Sequence, residues 1–361
     1  MADSFPSHVI AAVTAADPYP YYAHLRETPL FFDEGLNAWV ASGAAVVEEA
    51  FSHPSLRVRP PAEPVPKALV GTPAGEVFEN LVRMNDGSFH REYKPVVVEH
   101  AGKLPVQAIA QAAREATAAL DNADANRVLT ALPVGAMARA LGVLPQAVEA
   151  TVQWVHEFTA GIAPGAGEEA IALAGVAARG LMAQGEAEGL DPVRAANRIA
   201  LMQQSLDATA GLLGNSIRLL QARPALGSAA VSSDEAARGF AAEVARWDAP
   251  VQNTRRFAAE DLKLAGQAIE AGQGLVLCLA AANRDPARNA NPDTFDATRT
   301  ARRLYTFGGG VHECPGQAIA VAIAAAFLRE RWTPEGFGAR FARHEGFRPL
   351  GNARIPVFSP A

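Results

Sequence analysis

Apolar residues recur every three or four positions along most long stretches of the chain, the period of an amphipathic helix. The pattern predicts helices over 115–120, 134–144, 147–160, 168–184, 192–223 and 235–247, with 315–332 closing the set. Alternating, strand-like patterning is scarcer. Residues 29–33 and 38–41 read as a short hairpin, and 261–264 followed by 275–279 read as a second pair, bounded by Gly266, Gly272 and Gly274. A strand-like stretch also follows the helix ending near 247. Two segments have no period. Residues 59–73 are rich in proline, and 283–303 are punctuated by Asn-Arg-Asp-Pro and Asn-Pro-Asp, so both read as long loops. A loop of about twenty residues in a compact protein usually covers something functional. No repeat or linker divides the chain, which reads as one mainly α domain with small β-sheets (α+β) over residues 1–361.

Composition narrows the classes. Of the 361 residues, 49% are apolar and 19% charged, too apolar for a disordered chain. The net charge of −6, with no polybasic tract, argues against a nucleic-acid partner. The apolar runs at 274–282 and 318–327 fall short of the roughly 20 residues a bilayer requires, and the N-terminus lacks the regions of a signal peptide. The expectation is a cytoplasmic protein with reduced thiols and no membrane span. The two cysteines, Cys278 and Cys314, make neither a disulfide framework nor a paired-thiolate metal site.

The most informative run is FGGGVHECPG at 307–316. Cys314 follows a triple glycine and precedes a helix expected to open at Pro315, a favoured first-turn residue. Free amides and the helix dipole there stabilise a thiolate, and glycines let N–H groups approach the sulfur. A lone cysteine in such a turn is more often structural. However, Phe307, Gly310, Cys314 and Gly316 match F-x-x-G-x-x-x-C-x-G, and the sequence resembles the bacterial cytochrome P450 family of haem-thiolate monooxygenases. The resemblance implies a haem b held between a long central helix and the cysteine loop, with iron ligated by Cys314 and His312 at a haem propionate.

Other segments share the resemblance in the family's order. The family's E-x-x-R pair has three matches, Glu235/Arg238, Glu243/Arg246 and Glu345/Arg348. Only Glu243/Arg246 is followed by Trp-Asp-Ala-Pro-Val and then Ala282-Asn-Arg-Asp-Pro286, so it is the implied core pair. Arg256, with Arg255 as the alternative, and His90 with Lys94 four residues on resemble propionate-binding positions. Lys94 replaces an arginine and loses its bidentate fork. Similarity runs from about residue 17 to 358, including Asp17-Pro-Tyr-Pro-Tyr-Tyr, the loop Asn291-Pro-Asp-Thr-Phe-Asp296 and Asn352-Ala-Arg-Ile-Pro. The chain is short for the family, with the saving placed between Gln184 and Ala195.

The oxygen-side helix departs from the family. The pattern A/G-G-x-D/E-T falls on Gln204, Ser205, Leu206, Asp207 and Ala208, followed by Thr209. The acid is present and the alcohol position holds alanine. Three readings stay open: Thr209 takes the role after a one-residue slip, a substrate hydroxyl or water completes the relay, or the chemistry is peroxide-driven, coupling or dehydrogenating. A non-catalytic haem sensor or carrier is the alternative from another class. The resemblance implies a small-molecule substrate, a monomer, and electrons from a ferredoxin or flavodoxin with its reductase. Arg284, Arg288, Arg302 and Arg303 are the expected basic face for that partner. Arg57 or Arg59 could meet a substrate carboxylate.

Overall fold

The computed structural model describes residues 5–360. Helices come in chain order as α1 (Tyr19–Leu25), α2 (Ala44–Ser52), α3 (Pro73–Glu79), α4 (Gly87–Gly102), α5 (Val106–Ala119), α6 (Ala125–Ala140) and α7 (Val148–Gly161). There follow α8 (Glu168–Ala187), α9 (Pro192–Ala222), α10 (Gly227–Ala230), α11 (Asp234–Trp247), α12 (Leu279–Asn283) and α13 (Gln317–Arg331). The fold is mainly helical, as the periodicity implied.

The starts of the long helices are written in their caps. Asp191 accepts the Arg194 N–H at 2.9 Å and Pro192 fills the first turn of α9. Asp124 caps α6 through the Asn126 and Arg127 amides, and Ser233 caps α11 through Ala236. The link from α8 to α9 is only residues 188–191, the compression expected from the sequence. At about 1.5 Å per residue, the 31 residues of α9 run roughly 46 Å through the molecule. It packs against α6, α8 and α13, while α5 lies on α6 and α13. The C-terminal segment closes tightly on α9, where a Cβ at Gly211 would lie 2.8 Å from the Arg354 carbonyl and one at Gly214 2.6 Å from Pro356.

The strands are β1 (Leu30–Asp33), β2 (Ala38–Ala41), β3 (Leu56–Arg57), β4 (Thr254–Ala258), β5 (Leu262–Leu264), β6 (Gln267–Ile269), β7 (Gly274–Leu277), β8 (Arg343–Phe347) and β9 (Pro356–Ser359). The hairpin β1–β2 is as expected, in register Leu30 with Ala41. The second expected pair is not formed. β5 turns back onto β6 through Ala265 and Gly266, both at positive φ, and β7 instead lies between β2, parallel, and β4, antiparallel. That two-residue turn has the left-handed backbone that suits a tight hairpin. It fixes β5's partner locally and leaves the more apolar β7 for the centre of the five-stranded sheet.

Residues 59–73 contain only a short 3-10 turn at Lys67–Leu69 before α3 opens at Pro73, and beyond Asn283, the last residue of α12, 284–303 form neither helix nor strand. The last long helix begins at Gln317 rather than Pro315, with Gly316 as its N-cap. Cys278 is fully buried, just beyond β7 rather than on it, and its N–H bonds the Ala41 carbonyl. Among the described residues no helix is long and apolar enough to cross a membrane.

Candidate functional site

The cysteine loop is folded back on itself by Cys314 N–H donating to the Phe307 carbonyl at 2.9 Å. Gly310 is at φ +62°, and a Cβ there would fall 2.4 Å from the Phe51 carbonyl, so α2 presses on the loop where only glycine fits. Phe307 packs on the main core. The Gly316 N–H donates to Cys314 Sγ at 3.3 Å, and a Cβ on Gly316 would come within 3.7 Å of that sulfur. Burial pushes the Cys314 thiol up, while the Gly316 amide and Lys94 pull it down.

Helix α4 faces this loop and is weakly buried for its length. Of its sixteen residues only His90 and Ala101 are buried, while Phe89, Tyr93, Val96 and Val97 stay partly open. His90 sits 4.2 Å from His312, ring centre to ring centre, and its Nε2 is buried with no partner. Burial, with His312 and Lys94 nearby, lowers its pKa to about 4, so it is neutral at pH 7. His312 Nε2 lies 2.9 Å from Asp86 Oδ1, and Asp86 also accepts the Val58 N–H at 3.0 Å. Asp86 thereby joins the loop to the start of α4, a role with no separate mark in the sequence. Lys94 does not lie free beside His90. Its Nζ donates to the Glu313 carbonyl at 2.6 Å, since a flexible ammonium turns to the nearest acceptor.

Strand alternation separates the two arginines of β4: Arg255 is exposed and Arg256 buried. Among the described residues the Arg256 guanidinium stacks on Phe51 and donates only to the Arg255 carbonyl, with no carboxylate in ion-pair range. Burial lowers its pKa and Asp86 opposes the shift. A half-buried thiol, an orphan imidazole, an unpaired guanidinium and an under-covered helix thus surround one space. This donor set suits a flat, iron-bearing group carrying carboxylates, and the residues fit a haem.

On α9, Gln204 is exposed and Asp207 and Ala208 are partly open, a stripe at spacings of three and four on an otherwise buried helix. Asn197, two turns before Gln204, bonds the Val82 amide and the Asn80 carbonyl, so this face looks toward the segment leading into α4. Gln204 Nε2 donates to Ala200 O at 3.2 Å and Ser205 Oγ to Met202 O at 2.7 Å, both local backbone bonds. Thr209 is only 1% exposed, turned into the packing rather than onto the stripe with Ala208. Burial raises the Asp207 pKa, against Arg348 and His156.

Glu243 and Arg246 are both fully buried. Arg246 donates to both Glu243 oxygens, and to the carbonyls of Pro292 at 2.7 Å and Thr294 at 3.1 Å. Glu243 also accepts from Asp296 N, Arg299 and Arg302. Burial pushes its carboxyl up, yet these bonds outweigh it and hold it below the usual range. The rival pairs are not formed: Glu345 bonds Arg343, and Glu235 is exposed.

The expected basic face is absent as free charge. Arg284 is buried, paired with Asp293 at 3.0 Å and stacked on Tyr19 and Trp247. Arg302 belongs to Glu243, and Arg288 and Arg303 both pair with Glu48. These acids lie far from the arginines in sequence except Asp293, so spacing did not announce them. Arg57 donates to the Leu56 carbonyl, and Arg59 donates to the Glu63 carbonyl and lies 3.8 Å from its carboxylate, although the Arg59 Nε is buried without a partner.

Three comparisons bear on this geometry. A sequence model of one family, described as cytochrome P450, matches residues 239–330, the stretch carrying Glu243, Arg246, Arg256 and the cysteine loop. The chain is 35% identical over 138 residues to the 20-oxo-5-O-mycaminosyltylactone 23-monooxygenase of Streptomyces fradiae, covering 37% of this chain and 33% of that protein. It is 38% identical over 121 residues to the biotin biosynthesis cytochrome P450 of Bacillus subtilis, covering 32% and 30%. In sequence, then, the chain spans about a third of the length of the curated relatives it matches. In structure the likeness is nearly complete. P450BioI, in its complex with an acyl carrier protein ligated to hexadec-9Z-enoic acid, superposes with a TM-score of 0.76 at 22% identity, covering 94% of this chain and 96% of that one.

Proposed function

Because the chain belongs to the bacterial-type cytochrome P450 family, we propose that it is a haem-thiolate oxidoreductase, a monooxygenase oxidising a small organic molecule with dioxygen. Electrons come from a separate ferredoxin or flavodoxin with its reductase. The observation that carries the reading is Cys314, held in a glycine loop by the Gly316 amide opposite α4, a helix with only two buried residues. A bound haem b supplies the redox-active iron and the oxygen chemistry; the residues around it do the rest.

Cys314 would ligate the iron, giving up on coordination the thiol proton that burial favours. The Gly316 N–H at 3.3 Å withdraws charge from the sulfur and limits its donor strength. Arg256 and His90, the buried donors lacking acidic partners, hold the propionates, and the His312–Asp86 bond fixes the loop between them. Glu243 and Arg246 lock the residues 292–296 beneath the loop. Asp207 handles protons: its carboxyl, raised by burial, is suited to hold one at an oxygen and release it from the open stripe of α9.

One observation favours a second reading. Ala208 occupies the open position and Thr209 is turned away, so no protein hydroxyl stands beside Asp207 on that stripe. A substrate hydroxyl or water must complete the relay, or the reaction is peroxide-driven, coupling or dehydrogenating. The haem-thiolate reading is tested by the ferrous carbon monoxide spectrum, where the red-shifted thiolate Soret band should appear and be lost in Cys314→Ser. A band absent from the wild type, or unchanged in the variant, refutes it. Oxygen-18 from labelled dioxygen should enter the product of a reductase-driven reaction. Turnover with hydrogen peroxide alone supports the second reading, and Ala208→Thr should then leave it unchanged.

A further inference from the structure

Arg83 lies in the short 3-10 turn Val82–Met84, just before α4. Its Nη2 donates to Gln203 Oε1 on α9 at 2.9 Å, and Nη1 reaches only the Met84 sulfur at 4.0 Å. The Nε is buried with no acceptor. Among the described residues no carboxylate pairs with this guanidinium, whereas Arg246, Arg284, Arg288, Arg302 and Arg354 each have one. Burial alone lowers its pKa to about 10, so it remains cationic at neutral pH. Arg83 is half-buried, and a guanidinium with five donors that uses so few, its Nε closed off beside no anion, is costly to keep.

Its position says what it is kept for. Gln203 stands one helical turn before Asp207, next to Gln204 on the open face of α9. The charge therefore sits at the edge of the same space that Asp207 and Ala208 line. Arg59, suggested by the sequence, has a carboxylate at hand in Glu63, 3.8 Å away, and Arg57 donates to the Pro54 and Leu56 carbonyls. Arg256 and His90 lie at the cysteine-loop side with Asp86, whereas Arg83 is tied to α9.

We propose that Arg83, steadied by Gln203, anchors the carboxylate of a monocarboxylic acid substrate. The fork of a guanidinium accepts a carboxylate bidentately, which fixes the acid end and leaves the hydrocarbon part to lie along α9 toward Asp207 and Ala208. The inference rests on the proposed function only in taking this space as the substrate site.

The test uses the haem-loaded protein, with octanoate, dodecanoate and 3-phenylpropanoate, each beside its primary amide, as probes. Binding is read at pH 7.5 by calorimetry and by the Soret shift. At least one acid should bind about 10-fold or more tightly than its amide, as a charge-assisted bond implies. Arg83→Gln should weaken that acid roughly 10- to 100-fold, leave its amide within about threefold, and keep full haem content. Arg83→Lys should fall between. Acids and amides binding alike, no binding in either series, an acid unaffected by Arg83→Gln, or loss of haem from that variant would each overturn the proposal. Failure of the haem-thiolate reading shows separately, in the carbon monoxide spectrum, while calorimetry still reports the acid.

Discussion

Substituting Glu243 by Gln keeps the shape of a side chain at the centre of a dense buried network and removes only its charge. Two carboxylate oxygens there receive three guanidiniums and the Asp296 amide, with both Glu243 and Arg246 fully buried. The amide leaves three cations without a counter-charge and points two N–H donors at arginines. Breaking a buried pair in this way costs about 3–5 kcal/mol, a large part of the roughly 5–15 kcal/mol that holds a domain folded. With a urea slope of about 3 kcal/mol/M, a loss of about 4 kcal/mol lowers the midpoint by about 1.3 M. The assay is urea unfolding followed by far-ultraviolet circular dichroism and the Soret band together. The carboxyl is held below its ordinary value in the fold, so its stabilisation is complete above the unfolded pKa of about 4.3. It is lost as pH falls through the lower folded value. The gap between wild type and variant should be constant from pH 6 to 8 and close in acid. A midpoint change under about 0.3 M at pH 7, or a gap as wide at pH 3 as at pH 7, would refute the argument.

Other positions give simpler expectations. Gly310→Ala places a Cβ 2.4 Å from the Phe51 carbonyl at φ +62°, so about 1–3 kcal/mol of stability should be lost and haem content and melting temperature should both fall; normal values would show that the loop and α2 can part freely. In Cys314→Ser the remaining thiol, Cys278, is pushed up to about 12 by burial, and iodoacetamide at pH 8 should label it only in denaturant. Rapid native labelling contradicts the burial. Arg354→Leu strips the bonds to Val13, Ala15, Ala16 and Asp248, and limited proteolysis should then cut near residue 17. Protection equal to wild type would mean that other contacts hold that segment.

What the sequence made readable follows its physics. Helices α7, α8, α9, α11 and α13 bury a protein-facing stripe, so their period was plain. Helix α4 was missed because its partner is not protein: with only His90 and Ala101 covered, its pattern carries little of the apolar rhythm that betrays a helix. The pairing of β7 was misread because nothing local encodes a parallel neighbour that lies more than two hundred residues away, at Ala38–Ala41. The turn at Ala265 and Gly266, which settles β5, was readable and was overlooked. The cysteine loop and the Glu243/Arg246 pair could be found because residue type and spacing are themselves the chemistry. The arginines at 284, 288 and 303 could not be judged, since a charge in a sequence does not name its partner, and Arg83 stands out only because the fold supplies none.

Arg354 has a consequence in time. Its Nη1 holds the carbonyls of Val13 and Ala15 at 2.8 and 2.7 Å, its Nη2 that of Ala16 at 3.0 Å, and its Nε the buried Asp248. The side chain that satisfies these carbonyls leaves the ribosome 338 or more residues after them. At about 5–20 residues per second, that is a wait on the order of 20 to 70 s. Throughout it those carbonyls must stay hydrated, and Asp248, once made, is short of one cation for the 106 residues up to Arg354. The segment at 13–16 therefore docks only after residue 354 has been made.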